Sequence, residues 1–286
     1  MKRRVFEVAE AGPLAEAVAR GLRCEPARAR ALVERGAAYI DGSRARPGAS
    51  VRPGSRVLVV LEEGGRSTLE PPAPPPPLRV LHEDRSVLAV DKPAGIPSQP
   101  TPGRAGESLL DLASAYLGHP AGLVHRLDRE TSGVVVFGKR PEATSALAAE
   151  LREGRAVKQY LAVASPGLPA EGTIDLPLSR DPARPGRWRA TRSAHGLPAL
   201  TRFRRLFDGE VSGVALFPHT GRTHQLRAHL AALGHPIRGD RLYGGAPAAR
   251  CLLHARRLQI LGLQFDAPLP EDFLSFRRLE DWERIT

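Results

Sequence analysis

The run PPAPPPP, residues 71–77, most constrains what this chain can fold into. Six prolines in seven positions exclude a helix or an internal strand, because each proline locks φ and removes a backbone donor. Such a run favours an extended, semi-rigid polyproline spacer. Gly64 and Gly65 precede it. The expected organisation is a small unit over residues 1–65, a linker over 66–78 and a larger domain over 79–286.

The small unit reads as α+β. LAEAVARGL (14–22) has helical apolar spacing, and PARARALVERG (26–36) opens on Pro26 and closes on Gly36, a C-cap residue. Asp41-Gly42 and Pro53-Gly54 mark turns, and Arg56 to Val60 reads as a strand. Two helices and a small hairpin are expected. Arg28, Arg30 and Arg35 lie on the second helix and Arg44, Arg46 and Arg52 follow it. Charges of one sign repel unless a polyanion is near.

Beyond the linker, strand-like runs recur: LRVLHED, SVLAVDKP, SGVVVFGK, KQYLAVAS and GVALFPH. Helical segments at 108–117, 141–154 and 222–234 lie between them. No glycine-rich phosphate loop follows a strand, which argues against a doubly wound nucleotide-binding fold. The expected class is α+β, a mixed and mainly antiparallel sheet with flanking helices.

Charge points to a partner. The net charge is +11 with a pI of about 10.6, and of 42 cations only Lys2, Lys92, Lys139 and Lys158 are lysines. Arginine binds phosphate bidentately and stacks on bases, so nucleic acid is the favoured partner. Cys24 and Cys251 are too few for a disulfide framework or a zinc cage, and they suit a reducing cytoplasm. No apolar run reaches membrane-spanning length. His224 and His229 are five apart and lack the spacing of a helical metal pair, so no metal site is expected. No G-x-S-x-G nucleophile elbow occurs.

What remains is HRLDRETSG (125–133), where Asp128 stands between Arg126 and Arg129 ahead of the apolar run VVVF. It reads either as a surface ion pair or as a carboxylate held for chemistry. A second segment, PHTGRTHQLRAHL (218–230), places Arg222 at a helix start and Leu226, Arg227 and Leu230 along the helix. An aspartate facing Arg222 would keep its charge, since a nearby cation favours the ionised form.

Together these segments resemble the RluA-type RNA pseudouridine synthases. HRLDRETSG matches the family's H-R-L-D-x-x-T-S-G segment at each fixed position. AVKQYLAVA, TGRTHQLRAHL, GHPIRGDRLYG (234–244), EDRSVLAVDKPAGIP (83–97) and LLHARRL (252–258) resemble its other segments in order. Gln99 stands where a histidine is common. The N-terminal unit resembles a small RNA-binding domain shared with a ribosomal protein, with Asp41 in place of the usual asparagine.

The resemblance implies isomerisation of uridine to pseudouridine in RNA without a cofactor. It implies Asp128 as the essential carboxylate, with Arg222 maintaining its charge and Tyr160 stacked on the target base. Leu226 would form an apolar floor and Arg126 would hold the RNA open. Lys158, Thr131, His125, Arg227 and Lys92 would border the substrate or shape the loop, and the N-terminal arginines would bind RNA. Ribosomal RNA of the large subunit is the expected substrate, with transfer RNA second, and a cytoplasmic monomer is the expected state.

Overall fold

The computed structural model describes residues 2–34, 36–46, 48–61, 77–101, 108–193 and 195–283. PPAPPPP up to Pro76, and Arg35, lie outside them. The chain forms two compact units, Met1–Pro77 with Gln99–Tyr116, and Leu78–Ser98 with Leu117–Thr286. Among the described residues no helix is long and apolar enough to cross a membrane.

In the first unit the order is β1 (Lys2–Glu7), β2 (Gly12–Pro13), α1 (Leu14–Leu22), α2 (Pro26–Glu34), β3 (Ala38–Ile40), β4 (Ser43–Arg44), β5 (Ser50–Val51) and β6 (Arg56–Leu61). The main sheet runs β1-β6-β3-β4 and is antiparallel. Leu14, Ala17 and Val18 from α1 and Ala29, Leu32 and Val33 from α2 are buried with Val57 and Val59 of β6. Each helical set follows the i, i+3, i+4 spacing that turns one stripe to a core. Asp41 (φ 49°) and Gly42 (φ 83°) form the β3–β4 turn in the left-handed region, where Asn or Asp followed by Gly is favoured. Asp41 also accepts a hydrogen bond from Arg56 N at 2.8 Å. Strand β1 was not legible in the sequence. Its leading charges, KRR, hide a segment that pairs along the whole of β6.

The second unit begins with β7 (Arg79–Glu83) and β8 (Val87–Lys92). Helix α3 (Leu109–Leu117) follows, all but its last residue grouping with the first unit. Then come β9 (Gly122–Leu123), β10 (Ser132–Gly138), α4 (Pro141–Arg152), β11 (Val157–Ala164), β12 (Glu171–Asp175), β13 (Leu178–Arg180), β14 (Trp188–Ala190), β15 (Leu200–Phe207) and β16 (Ser212–Pro218). Helix α5 (Gln225–Ala232), β17 (Leu253–Ile260), β18 (Leu263–Asp266), α6 (Glu271–Leu274) and α7 (Leu279–Glu283) complete it.

The large sheet has the order β12-β15-β16-β11-β17-β10-β8-β7, with β18 on β17 and β9 on β10. Every pairing is antiparallel except β10 with β17. This is the mixed, mainly antiparallel α+β arrangement expected from the sequence. Leu226 and Leu230 of α5 are buried in one core cluster with Leu161, Val163 and Leu216. Leu147 of α4 is buried in another with Val134, Val136 and Leu258. The central strands β11, β17 and β10 are therefore covered by helices and held rigid, which is where a reactive group can be placed accurately.

Candidate active site

The loop carrying Asp128 is fixed at both ends before it reaches β10. Ser98 bridges Leu127, accepting from its N–H at 3.0 Å and donating to its carbonyl at 2.8 Å. Gly95 N donates to Arg129 O at 2.8 Å, and Arg129 Nε returns a bond to Gly95 O at 2.7 Å. Lys92 is fully buried. Its ammonium donates to Pro93 O at 2.9 Å, Arg129 O at 3.1 Å and Thr131 O at 2.7 Å. Three carbonyls match the three N–H bonds of an ammonium. Burial pushes the Lys92 pKa down to about 7, against the pull of Asp128 and Glu130. Lys92 thus folds the loop around its head group.

The loop's other residues have local tasks. His125 accepts from Val136 N at 3.1 Å, and burial, with Lys158 nearby, lowers it to about 4, so the imidazole is neutral. Thr131 is buried, with its N–H donating to Asp128 O at 3.1 Å. Gly133 has φ 114°, and a side chain there would collide with the Ala255 carbonyl of β17. This is the physical reason for glycine in T-S-G: β10 enters the sheet flush against its parallel neighbour. Arg126 is exposed and has no ion-pair partner among the described residues.

The cation on Asp128 is Arg227, which corrects the expectation of Arg222. Arg227 Nη1 lies 2.9 Å from Asp128 Oδ2. Arg222 is exposed, and its Nε donates to Pro198 O at 3.0 Å. The cause is where the helix starts. His224 adopts a left-handed conformation (φ 57°), so α5 begins at Gln225, three residues later than the sequence implied. Arg222 is left in the preceding turn and Arg227 takes the first turn of the helix. Gln225 secures that turn, accepting from Thr220 Oγ1 at 2.7 Å and Arg222 N at 3.0 Å.

Arg227 is held from behind by Asp240, through Nε to Oδ2 at 2.6 Å and Nη2 to Oδ1 at 2.9 Å. This is the bidentate geometry that gives an arginine a fixed direction. Side-chain exposure falls from 28% at Asp128 to 11% at Arg227 and 0% at Asp240. Burial opposes the Arg227 charge, but its bonds and charges with Asp240 and Asp128 outweigh it and raise the pKa. Tyr243 packs its ring 5.1 Å from the Arg227 guanidinium carbon. Asp240 and Tyr243 were not singled out in the sequence, although both lie in the GHPIRGDRLYG segment.

Tyr160 lies on β11 and packs against the cluster that contains Leu226. Burial, and then the negative charge of Asp128, push its pKa up, so the phenol stays protonated. Burial lowers Lys158. Among the described residues no cluster of His, Cys, Asp and Glu could hold a metal ion. In the first unit Arg28, Arg30 and Arg46 are exposed. Arg44 lies in β4, and Arg35 falls outside the described residues.

The arrangement offers one carboxylate on a rigid strand entrance, with a fixed cation on one oxygen and a phenol and an aliphatic side chain nearby. A model of the RNA pseudouridylate synthase family matches residues 86–232, which span the Asp128 loop, Tyr160 and α5. The chain belongs to this family. It is 37% identical over 275 residues to a ribosomal large subunit pseudouridine synthase D of Xanthomonas campestris, covering 84% of this chain and 80% of the relative. It is 36% identical over 284 residues to an RNA pseudouridine synthase of Chloroflexus aurantiacus, covering 89% and 85%. Among solved structures it is similar to human RNA pseudouridylate synthase domain containing 4. There the TM-score is 0.59 and the identity 26%, over 71% of this chain and 92% of that one. As a pseudouridine synthase of the RluA type, it is an isomerase that converts uridine to pseudouridine in RNA.

Proposed function

We propose that this pseudouridine synthase acts on ribosomal RNA with Asp128 as its catalytic carboxylate. The observation that carries the assignment is the chain Asp240–Arg227–Asp128. A fully buried carboxylate fixes an arginine, and the arginine fixes a more exposed carboxylate beside Tyr160. Oδ2 is engaged, and among the described residues no donor reaches Oδ1.

The isomerisation detaches the base at N1 and rejoins it at C5, so the nucleotide must leave the helix, at a cost of a few kcal/mol. Tyr160 and Leu226 supply a surface for the extracted base, and Arg126, exposed at the loop, supplies a cation beside the gap. Arg28, Arg30, Arg35, Arg44 and Arg46 of the N-terminal unit would offset the cost through phosphate contacts. That unit, residues 1–65, would serve RNA binding, residues 66–78 the linker and 79–286 the chemistry, in a monomer working in the cytoplasm. Ribosomal RNA is favoured over transfer RNA by the relatives named for the large ribosomal subunit.

Tritium release from RNA carrying [5-³H]uridine tests the reading on separated ribosomal and transfer RNA. Wild type should release label from ribosomal RNA, and Asp128→Asn should lose roughly 10³-fold or more while still binding RNA. Full activity in Asp128→Asn would remove the carboxylate assignment, and release from transfer RNA alone would overturn the substrate.

A further inference from the structure

We infer that His224 is a positioning residue: Tyr243 holds it as the Nε2–H tautomer, aimed at Asp128 Oδ2, which leaves Oδ1 as the reacting oxygen. The inference rests on Asp128 being the catalytic carboxylate.

His224 adopts a left-handed backbone, φ 57° and ψ 19°. Such a conformation is uncommon for a residue other than glycine and persists where the surroundings impose it. Here it turns the ring between two partners. Nδ1 lies 3.2 Å from Tyr243 Oη, and Nε2 lies 3.8 Å from Asp128 Oδ2. The rings of His224 and Tyr243 meet edge to face, centroids 5.8 Å apart.

The proton positions follow from the neighbours. Tyr243 Oη accepts from Trp188 N at 3.0 Å. Burial raises the Tyr243 pKa to about 12, so the hydroxyl keeps its proton and needs an acceptor. Among the described residues the acceptor within reach is His224 Nδ1. That nitrogen is then unprotonated, and in a neutral imidazole the proton sits on Nε2. The opposite tautomer would leave the Tyr243 proton without an acceptor and turn the Nε2 lone pair towards a carboxylate. The doubly protonated ring is disfavoured by burial first and by Arg227, against the attraction of Asp128 and Asp240. Arg187, whose guanidinium carbon lies 5.2 Å from the Tyr243 ring, adds a further positive charge on that side.

Oδ2 therefore faces Arg227 at 2.9 Å and the His224 N–H at 3.8 Å. The second contact is longer than a hydrogen bond in the free protein, and such contacts commonly tighten when substrate fills a site. Two cationic or donor groups on one oxygen orient the carboxylate and direct Oδ1 to the substrate. The β13–β14 hairpin enters through Trp188 N, so it sets the tautomer of a ring near the reacting group.

The test pairs activity with a direct view of the proton. His224→Asn tolerates the left-handed backbone and keeps a polar atom near the Nδ1 position, but it cannot reach Asp128. It should lower kcat for tritium release roughly tenfold, the size of one hydrogen bond to a charged group, with KM within about twofold. His224→Gln places an N–H near the Nε2 position and should recover part of the loss. In ¹⁵N-histidine-labelled protein, His224 assigned by its absence from His224→Asn should report the Nε2–H tautomer from pH 6.5 to 8. Tyr243→Phe should add the other tautomer to that signal. Wild-type kcat in His224→Asn, or an Nδ1–H signal in wild type, would overturn the inference. The tautomer signal does not depend on turnover, so an inactive Asp128 assignment and a wrong tautomer give separate results.

Discussion

Arg227 and the arginines of α2 carry the same charge under opposite rules. Arg227 is buried and paired to two carboxylates, and its guanidinium has one available direction. Arg28 and Arg30 lie on the outer face of a helix whose inner face is Ala29, Leu32 and Val33, and both are exposed. A buried charge is costly unless its partners are exact in number and geometry. An exposed one is nearly free, and it acts at a distance through the summed field. In the proposed function the first kind fixes the reacting carboxylate, and the second attracts the RNA polyanion.

The contrast can be broken most severely at Asp240. Asp240→Ala leaves Arg227 buried with its inner face unpaired, and should cost about 3–5 kcal/mol of stability, as for other broken buried pairs. Denaturant unfolding measures this, and a loss below about 1 kcal/mol would place Arg227 among the exposed arginines instead. Lys92→Met should follow, losing roughly 2–4 kcal/mol, because Pro93 O and Thr131 O lose the Lys92 donor and Arg129 O keeps only Gly95 N. Its tritium release should fall with the loop's order.

Acid sharpens the buried side of the comparison. Burial lowers His254 to about 3 and His125 to about 4, from an ordinary value of 6.5. Both are neutral in the fold, so the unfolded chain takes protons first as the pH drops. Their contribution is present above about pH 6.5 and is lost as the pH falls towards 4 and 3, with up to about 1.4 kcal/mol per pH unit for each group. Unfolding free energies between pH 7 and 4 should show this slope, and His125→Gln should reduce it. The smallest effect on stability belongs to the exposed arginines. Arg28→Gln with Arg30→Gln should change stability by about 0.5 kcal/mol or less. The slope of log affinity against log salt should fall by roughly one for each phosphate that is no longer neutralised. An unchanged salt slope would remove these residues from the RNA surface.

The same division explains what could be read from the sequence. Helix α1 was legible to the residue at Leu14–Leu22, because its apolar stripe and its boundaries are local. The strands at 132–138 and 157–164 announced themselves as apolar runs. Strand β15 did not, although Thr201 and Phe203 alternate with Arg202 and Arg204 as a half-buried strand should. Its outward positions are arginines, so no apolar run marks it. At the site, Asp128, Tyr160 and Leu226 were legible as candidates by motif. The cation was not, since Arg222 and Arg227 both stand in T-G-R-T-H-Q-L-R. Only the left-handed turn at His224 decides which one starts in the helix. Asp240 was equally hidden: its partner is thirteen residues away, and the pair forms only when α5 and the following turn close together.

The most direct test of this account compares Arg227→Lys with Arg222→Lys for kcat of tritium release at saturating RNA. A lysine cannot reproduce two parallel bonds to Asp240 and a third to Asp128. Arg227→Lys should lose about 10²-fold or more, and Arg222→Lys should stay within roughly threefold of wild type. Near-normal turnover in Arg227→Lys, with the loss in Arg222→Lys, would contradict it.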